Sequence, residues 1–132
     1  MTDTPAFGEP LPVQPSPEVL AFLARRRSAS AQTLTGPGPD PATLDRLLTL
    51  AARVPDHGKL APWRFIVLDG LAKRAFVTEV ERLAALRPDA DKAAGALIKL
   101  RNPPTSVVVV SRPQPGKIPA WEQELSAGSV CM

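Results

Sequence analysis

The chain has 132 residues, of which 44% are hydrophobic and 22% charged, a composition typical of one globular domain. Its 16 basic and 13 acidic residues leave a net charge of +3, too small and too mixed for a nucleic-acid-binding surface. The single cysteine, Cys131, excludes an internal disulfide and a cysteine zinc site, which favours a reducing, cytoplasmic compartment. We expect neither a membrane span nor a secretory signal, because no apolar run has the required length or position.

Proline is unusually frequent, with 16 in the chain and five of them within residues 1–17. Such a segment forms few backbone hydrogen bonds and contains few apolar groups. The composition therefore predicts a Pro-rich flexible arm over residues 1–15 and one domain over residues 16–132. A proline-rich ligand for another protein is the alternative interpretation of the arm.

The first predicted helix begins at Ser16-Pro17, with serine as the N-cap and proline at the first helical position. It ends in Arg25-Arg26-Arg27-Ser28. Cations at a helix C-terminus offset the negative end of the helix dipole, which is one interpretation of the arginines. The other is a phosphate site, because the planar arginine group presents paired donors to phosphate oxygens. Composition leaves both open.

A second helix is predicted from Asp40-Pro41 to Arg53, and Pro55 stops it. Its apolar residues share one face at helical spacing: Leu44, Leu47, Leu48 and Ala51. The following loop contains Asp56, His57, Gly58 and Lys59. A short loop held between a helix and a strand is rigid, and binding residues are common on such loops.

The segments 63–68 and 105–111 are predicted strands, and their apolar runs indicate cover on both faces. A third helix is predicted over about residues 71–86, and an Ala-rich helix over 90–101. In the third helix we expect an inward apolar stripe and an outward charged face; these are, respectively, Phe76, Val80, Leu83 and Ala84, and Lys73, Arg74, Glu79, Glu81 and Arg82.

The last predicted helix begins near Pro119 or Ala120, with Trp121, Leu125 and Met132 on one side. We expect Glu122 and Glu124 to stabilise its N-terminus electrostatically rather than to act as an acid–base pair. Cys131 is expected to be a small buried apolar residue.

Two buried strands do not make a stable sheet, and the last helix ends within an apolar pattern. We therefore expect a larger fold that is incomplete at the C-terminus of this chain. Completion by a second subunit is the alternative.

Three motifs occur in a fixed order along the chain. Arg26-Arg27-Ser28 closes the first helix, Arg53-x-Pro55-Asp56-His57 follows the second, and Pro62-Trp63-x-Phe65 enters the first strand. Together they resemble the flavin-dependent nitroreductase family, in its small single-domain bacterial branch. Residues 99–102 and 121–124 fit the same branch, and the resemblance covers about residues 18–132.

The resemblance implies an α+β fold with a central sheet flanked by helices. Such proteins are usually homodimers that hold FMN at the subunit interface. They transfer hydride from NADH or NADPH through the flavin to nitroaromatics, quinones or similar small acceptors. Because the cofactor supplies the chemistry, we assign no catalytic side chain and no metal ligand.

The resemblance also assigns candidate cofactor-binding residues. Arg26 and Ser28 match positions that hold the FMN phosphate and ribityl chain, with Arg27 between them. Arg53 and His57 match positions that approach the flavin ring, where positive or donor groups stabilise negative charge. Lys59 occupies a position where many relatives have Asn or Ser.

Two other functions stay open at this stage. The first is a flavin-free remnant that acts as an interaction or structural protein, because the family's C-terminal part contributes to the cofactor site. The second is a nucleic-acid-binding module using Arg25-Arg26-Arg27, which the interleaved acidic residues disfavour.

Overall fold

The computed structural model describes residues 9–10 and 14–132, so most of the predicted arm lies outside the described residues. The elements of the described part are α1 Pro17–Arg25, a 3₁₀ turn Ala31–Thr33, α2 Pro41–Ala51, β1 Trp63–Leu68, α3 Gly70–Ala84, α4 Ala90–Ala96, α5 Ile98–Arg101, β2 Ser106–Ser111 and α6 Ala120–Ser129. This mixture of helices and a sheet confirms the predicted α+β class. None of the helices in the described ranges is both long and apolar enough to cross a membrane.

The sheet is an antiparallel pair in which Trp63 lies opposite Ser111 and Leu68 opposite Ser106. The prediction that both strands are covered on both faces was wrong for the described chain. Each strand has one hydrogen-bonded neighbour there, and the central residues Ile66 and Val108 are 39% and 41% exposed. Within the described part of the chain both strands are therefore edge strands.

The first two helices begin where the sequence predicts. The Ser16 Oγ accepts a hydrogen bond from the Val19 backbone N–H at 3.4 Å, and the Asp40 Oδ1 accepts one from Thr43 at 2.7 Å. Each cap satisfies a backbone donor that has no partner inside its helix. The second helix ends at Ala51, two residues before the predicted end at Arg53.

The prediction for α3 was wrong in part: Ala84 is buried as expected, but three other positions differ. Lys73, expected outside, is 5% exposed, whereas Phe76 and Leu83 are 41% and 50% exposed. The Lys73 Nζ donates to the Pro103 carbonyl oxygen and, at 2.6 Å, to the Ser106 Oγ. Burial lowers the pKa of Lys73. This side chain ties the first part of α3 to the start of β2.

The Ala-rich segment forms two short helices rather than the predicted single one. The break falls at Leu97, two residues after Gly95, a poor helix former. The Asn102 Nδ2 then donates to the Gln32 carbonyl oxygen at 2.7 Å, which joins the end of α5 to the 3₁₀ turn.

The last helix packs against β2, and its large apolar residues lie on its exposed side. Ala127 is 3% exposed, whereas Trp121 and Leu125 are 61% and 63% exposed. Cys131 is also exposed, so the prediction of a buried cysteine was wrong. The apolar stripe recognised in the sequence is present, but it faces away from the covered side of the helix.

Large apolar side chains are also exposed on α1. Four of them are more than half exposed: Val19, Leu20, Phe22 and Leu23. A contiguous apolar surface of this kind marks an interaction site in a folded protein.

Candidate cofactor-binding site

The loop in which the sequence predicts binding residues lies between α2 and β1. It covers residues 53–62, and its backbone is strained. Gly58 has φ of 80°, and two non-glycine residues, Lys59 and Ala61, have φ of 55° and 44°. A left-handed backbone at non-glycine residues costs free energy and persists only where the surroundings impose it. Such strain is concentrated at functional sites, which supports the choice of this loop as a site.

Asp56 closes the loop on itself. Its Oδ2 accepts a hydrogen bond from the Ala61 backbone N–H at 2.8 Å, and its carbonyl oxygen accepts one from the Lys59 N–H at 3.2 Å. The other carboxylate oxygen, Oδ1, is buried and accepts no hydrogen bond within the described residues. A buried carboxylate oxygen without a hydrogen-bond donor is costly in free energy.

The segment 112–118 supports the loop from the side. The Gln114 Nε2 donates to the Leu60 carbonyl oxygen at 3.2 Å, and the Arg112 N–H donates to the Pro62 carbonyl oxygen at 2.8 Å. An added Cβ at Gly58 would lie 3.3 Å from the Ile118 Cγ1, so the two segments are in close contact there.

His57 is held by a residue from the other end of the domain. Its Nδ1 lies 2.6 Å from the Glu122 Oε1, a hydrogen-bond distance across 65 residues of sequence. The histidine side chain is 63% exposed and that of the glutamate 31%. Glu122 lies in the first turn of α6, where the positive end of the helix dipole stabilises its negative charge.

The three residues after α1 form a separate group of donors. Arg26, Arg27 and Ser28 are all exposed, and their side chains make no hydrogen bond or ion pair to any residue in the described ranges. Arg25 differs, because its Nε donates to the Ala21 carbonyl oxygen of its own helix at 3.2 Å. The arginine run therefore contains one cation bonded to the end of its helix and two whose side chains have no hydrogen-bond or ion-pair partner among the described residues.

The structure brings three of the predicted site residues, Arg53, His57 and Lys59, onto one loop, where all three are exposed. No hydrogen bond or ion pair among the described residues joins this loop to Arg26, Arg27 or Ser28. The predicted set thus forms two groups, one on this loop and one after α1.

Three residues that contribute to this region were not predicted as site residues from the sequence: Glu122, Gln114 and Gln123. The 121–124 motif was recognised, but Glu122 was assigned only to the helix N-terminus. Its partner is far away in sequence, and no local pattern indicates such a pair.

A cleft of about 430 Å³ opens beside the loop, between its end and the segment after β2. The cleft is lined by Ala61, Trp63, Arg112, Pro113, Gln114 and Pro115. Trp63 is half-buried and forms part of a cleft wall.

The fold and site together define an α+β protein with a strained, cation-bearing loop and a second donor group after its first helix. The family model described as "Nitroreductase family" matches residues 23–132. The chain belongs to the Nitroreductase family.

Two curated relatives are similar over most of the chain. It is 36% identical over 120 residues to "Putative NAD(P)H nitroreductase YdjA" of Escherichia coli K12, covering 87% of this chain and 63% of the relative. It is 36% identical over 117 residues to "Putative NAD(P)H nitroreductase" of Haemophilus influenzae, covering 84% and 61%. The chain thus spans about three-fifths of the length of these relatives.

A solved structure has the same fold. The nitroreductase-like family protein from Bacillus cereus superimposes with a TM-score of 0.69 at 19% identity, covering 91% of this chain and 63% of that one. The predicted nitroreductase-like architecture is therefore confirmed.

Proposed function

We propose that this chain binds FMN and acts in an oxidoreductase that uses NAD(P)H to reduce nitroaromatics, quinones or similar small acceptors. The observation that carries the proposal is the group of uncommitted donors at Arg26, Arg27 and Ser28, in a chain of the Nitroreductase family. FMN, when bound, supplies the exchange of hydride between the nicotinamide and the acceptor.

The donor set fits such a cofactor. The FMN phosphate is an anion, and two arginines with a neighbouring hydroxyl offer it charge-assisted hydrogen bonds. Because neither arginine is engaged by an acidic residue of the described chain, binding a phosphate breaks no existing ion pair. In this proposal Arg26 and Ser28 hold the phosphate and ribityl chain, and Arg27 adds positive charge.

The loop residues take the ring side in the proposal. Arg53 and Lys59 contribute positive charge, and His57 contributes a hydrogen-bonding ring nitrogen. The backbone hydrogen bonds from Lys59 and Ala61 to Asp56 support this role, because they hold the loop in one conformation before a ligand arrives.

We also propose that the working form is a homodimer in the cytoplasm. The exposed apolar residues of α1, together with the two edge strands, support a second copy as the partner. A dimer would cover apolar surface that a monomer leaves in water.

An absorbance spectrum tests the flavin proposal directly. The purified chain is incubated with FMN, desalted, and measured for visible flavin bands and protein. Stoichiometric retained flavin, followed by flavin-dependent NAD(P)H oxidation with a quinone or nitroaromatic, is the expected result. A folded chain that retains no flavin would overturn the proposal.

A flavin-free interaction protein is the second candidate. Its support is the extent of exposed apolar surface among the described residues. A cooperatively folded, colourless protein that self-associates through α1 would favour this second function.

A further inference from the structure

We propose that Glu122 is the positioning residue of His57 and sets which hydrogen bond His57 offers to a ligand. The Glu122 carboxylate has only acceptor atoms, so the His57 Nδ1 at 2.6 Å must be the donor. In the neutral ring the proton is then on Nδ1, and Nε2 has a free lone pair. This inference deepens the proposed function and rests on it where it concerns FMN.

This tautomer changes the hydrogen bond that His57 is expected to offer to a ligand. The family resemblance assigns His57 as a positive or donor group near the flavin. With Nδ1 donating to Glu122, the neutral ring presents an acceptor at Nε2 instead. The matching ligand group is an N–H or O–H donor, such as the imide N–H of a flavin ring.

The surroundings allow Glu122 to act in this way. The carboxylate is in the first turn of α6, where it interacts favourably with the positive end of the helix dipole. The next residue, Gln123, is 2% exposed and fully hydrogen-bonded, so the start of the helix is anchored. His57 lies on a loop whose backbone is strained and closed by Asp56, so both partners are held in place.

The ligand side of His57 is open. Its side chain is 63% exposed, and its Nε2 makes no hydrogen bond in the described part of the chain. A carboxylate behind a histidine, with the second nitrogen facing outward, is the arrangement that orients histidines at metal and catalytic sites. Here the same arrangement orients a histidine toward an organic ligand.

The first test uses the flavin-free chain. His57 is the only histidine, so the ¹⁵N spectrum of the imidazole has one set of ring signals. At a pH where the ring is neutral, wild type should show the Nδ1–H tautomer. Glu122→Ala should shift the ring toward the Nε2–H tautomer. Glu124→Ala removes the same charge from an exposed position of the same helix and should leave the tautomer unchanged.

The second test separates positioning from simple structural support. Glu122→Ala should weaken FMN binding by about fivefold, on the scale of one net hydrogen bond, while the midpoint of thermal unfolding stays close to that of Glu124→Ala. On a His57→Ala background, adding Glu122→Ala should weaken FMN no further, because Glu122 acts only through His57. Glu122→Gln, which keeps an acceptor oxygen, should restore part of the affinity.

The two tests fail in distinguishable ways. An Nε2–H tautomer in wild type would overturn the inference whether or not FMN binds. An Nδ1–H tautomer that depends on Glu122, in a chain that retains no FMN, would support the positioning role and overturn the proposed function. Equal losses of FMN affinity from Glu122→Ala in the wild-type and His57→Ala backgrounds would overturn the ligand-directed role of Glu122.

Discussion

Gln123 binds the backbone of Gln114 at both of its polar groups. The Gln123 Oε1 accepts from the Gln114 N–H at 2.8 Å, and its Nε2 donates to the Gln114 carbonyl oxygen at 2.9 Å. A second bond from Nε2 reaches the Ile118 carbonyl oxygen at 2.9 Å. One buried side chain from α6 thereby shapes the segment that supports the candidate site.

Replacing Gln123 should therefore lower the free energy of unfolding by more than the loss of one hydrogen bond would. Gln123→Leu leaves one N–H and two carbonyl groups without partners, and we expect a loss of about 3 kcal/mol in the free energy of unfolding. Urea unfolding followed by circular dichroism measures this. Gln114→Ala is the matched control, because it removes only the side-chain bond to Leu60 and should cost about 1 kcal/mol or less. Equal costs for the two variants would show that Gln123 is not the main support.

The buried Lys73 should make stability depend on pH at the alkaline end. Burial lowers its pKa in the folded chain, so the unfolded chain binds the proton more tightly. Its charge opposes folding at neutral pH, and stability should rise as pH increases through the lowered pKa toward the ordinary lysine value of about 10.4.

Lys73→Met isolates this contribution, since methionine has similar length and no charge. The difference in free energy of unfolding, wild type minus Lys73→Met, should become more favourable to wild type as pH rises through that window. Arg74→Met, at the exposed neighbouring position, controls for the loss of one positive charge. A pH-independent difference for Lys73→Met would contradict the prediction.

Gly58 and Gly70 both have left-handed backbone, with φ of 80° and 45°, but only Gly58 has a close neighbour. Alanine at either position should cost about 1–2 kcal/mol for the backbone alone. Gly58→Ala should cost more than Gly70→Ala, because its Cβ would press on Ile118 at 3.3 Å. Thermal unfolding of the two variants measures the difference, and a larger loss at Gly70 would refute the close packing of the loop on Ile118.

Arg26→Ala should weaken FMN binding about 10- to 100-fold, the effect of losing a charged hydrogen bond of about 1.5–3 kcal/mol. Fluorescence titration of FMN measures the dissociation constant. Arg25→Ala is a close control, because Arg25 lies next in sequence but its Nε is bonded to its own helix. Similar losses for both arginines would indicate general electrostatic attraction rather than a phosphate contact at Arg26.

Self-association should depend on the apolar face of α1. Phe22 is 62% exposed, and Phe22→Ser should raise the dimer dissociation constant at least about tenfold if it lies in the interface. Leu86→Ser changes a residue that is 73% exposed after α3 and should have no effect. Sedimentation or light scattering over a range of concentrations gives both constants. A monomeric wild type would rule out the proposed homodimer.

Local sequence determined the positions of most elements in this protein. Ser16 and Asp40 cap their helices because a side-chain oxygen can reach a backbone N–H three residues ahead. The apolar run from Trp63 to Leu68 forms a strand as predicted. Motif order also indicated the family, which the match over residues 23–132 establishes.

Tertiary structure alone decided which faces are covered and which polar groups meet. Lys73 is buried because α3 packs with that side toward Pro103 and Ser106. The helical periodicity of the sequence does not predict this packing. The residue contacts of the candidate site also depend on tertiary packing. His57 was recognised from its motif, but its partner Glu122 lies 65 residues away, and only the packing of α6 beside the loop brings the two within 2.6 Å.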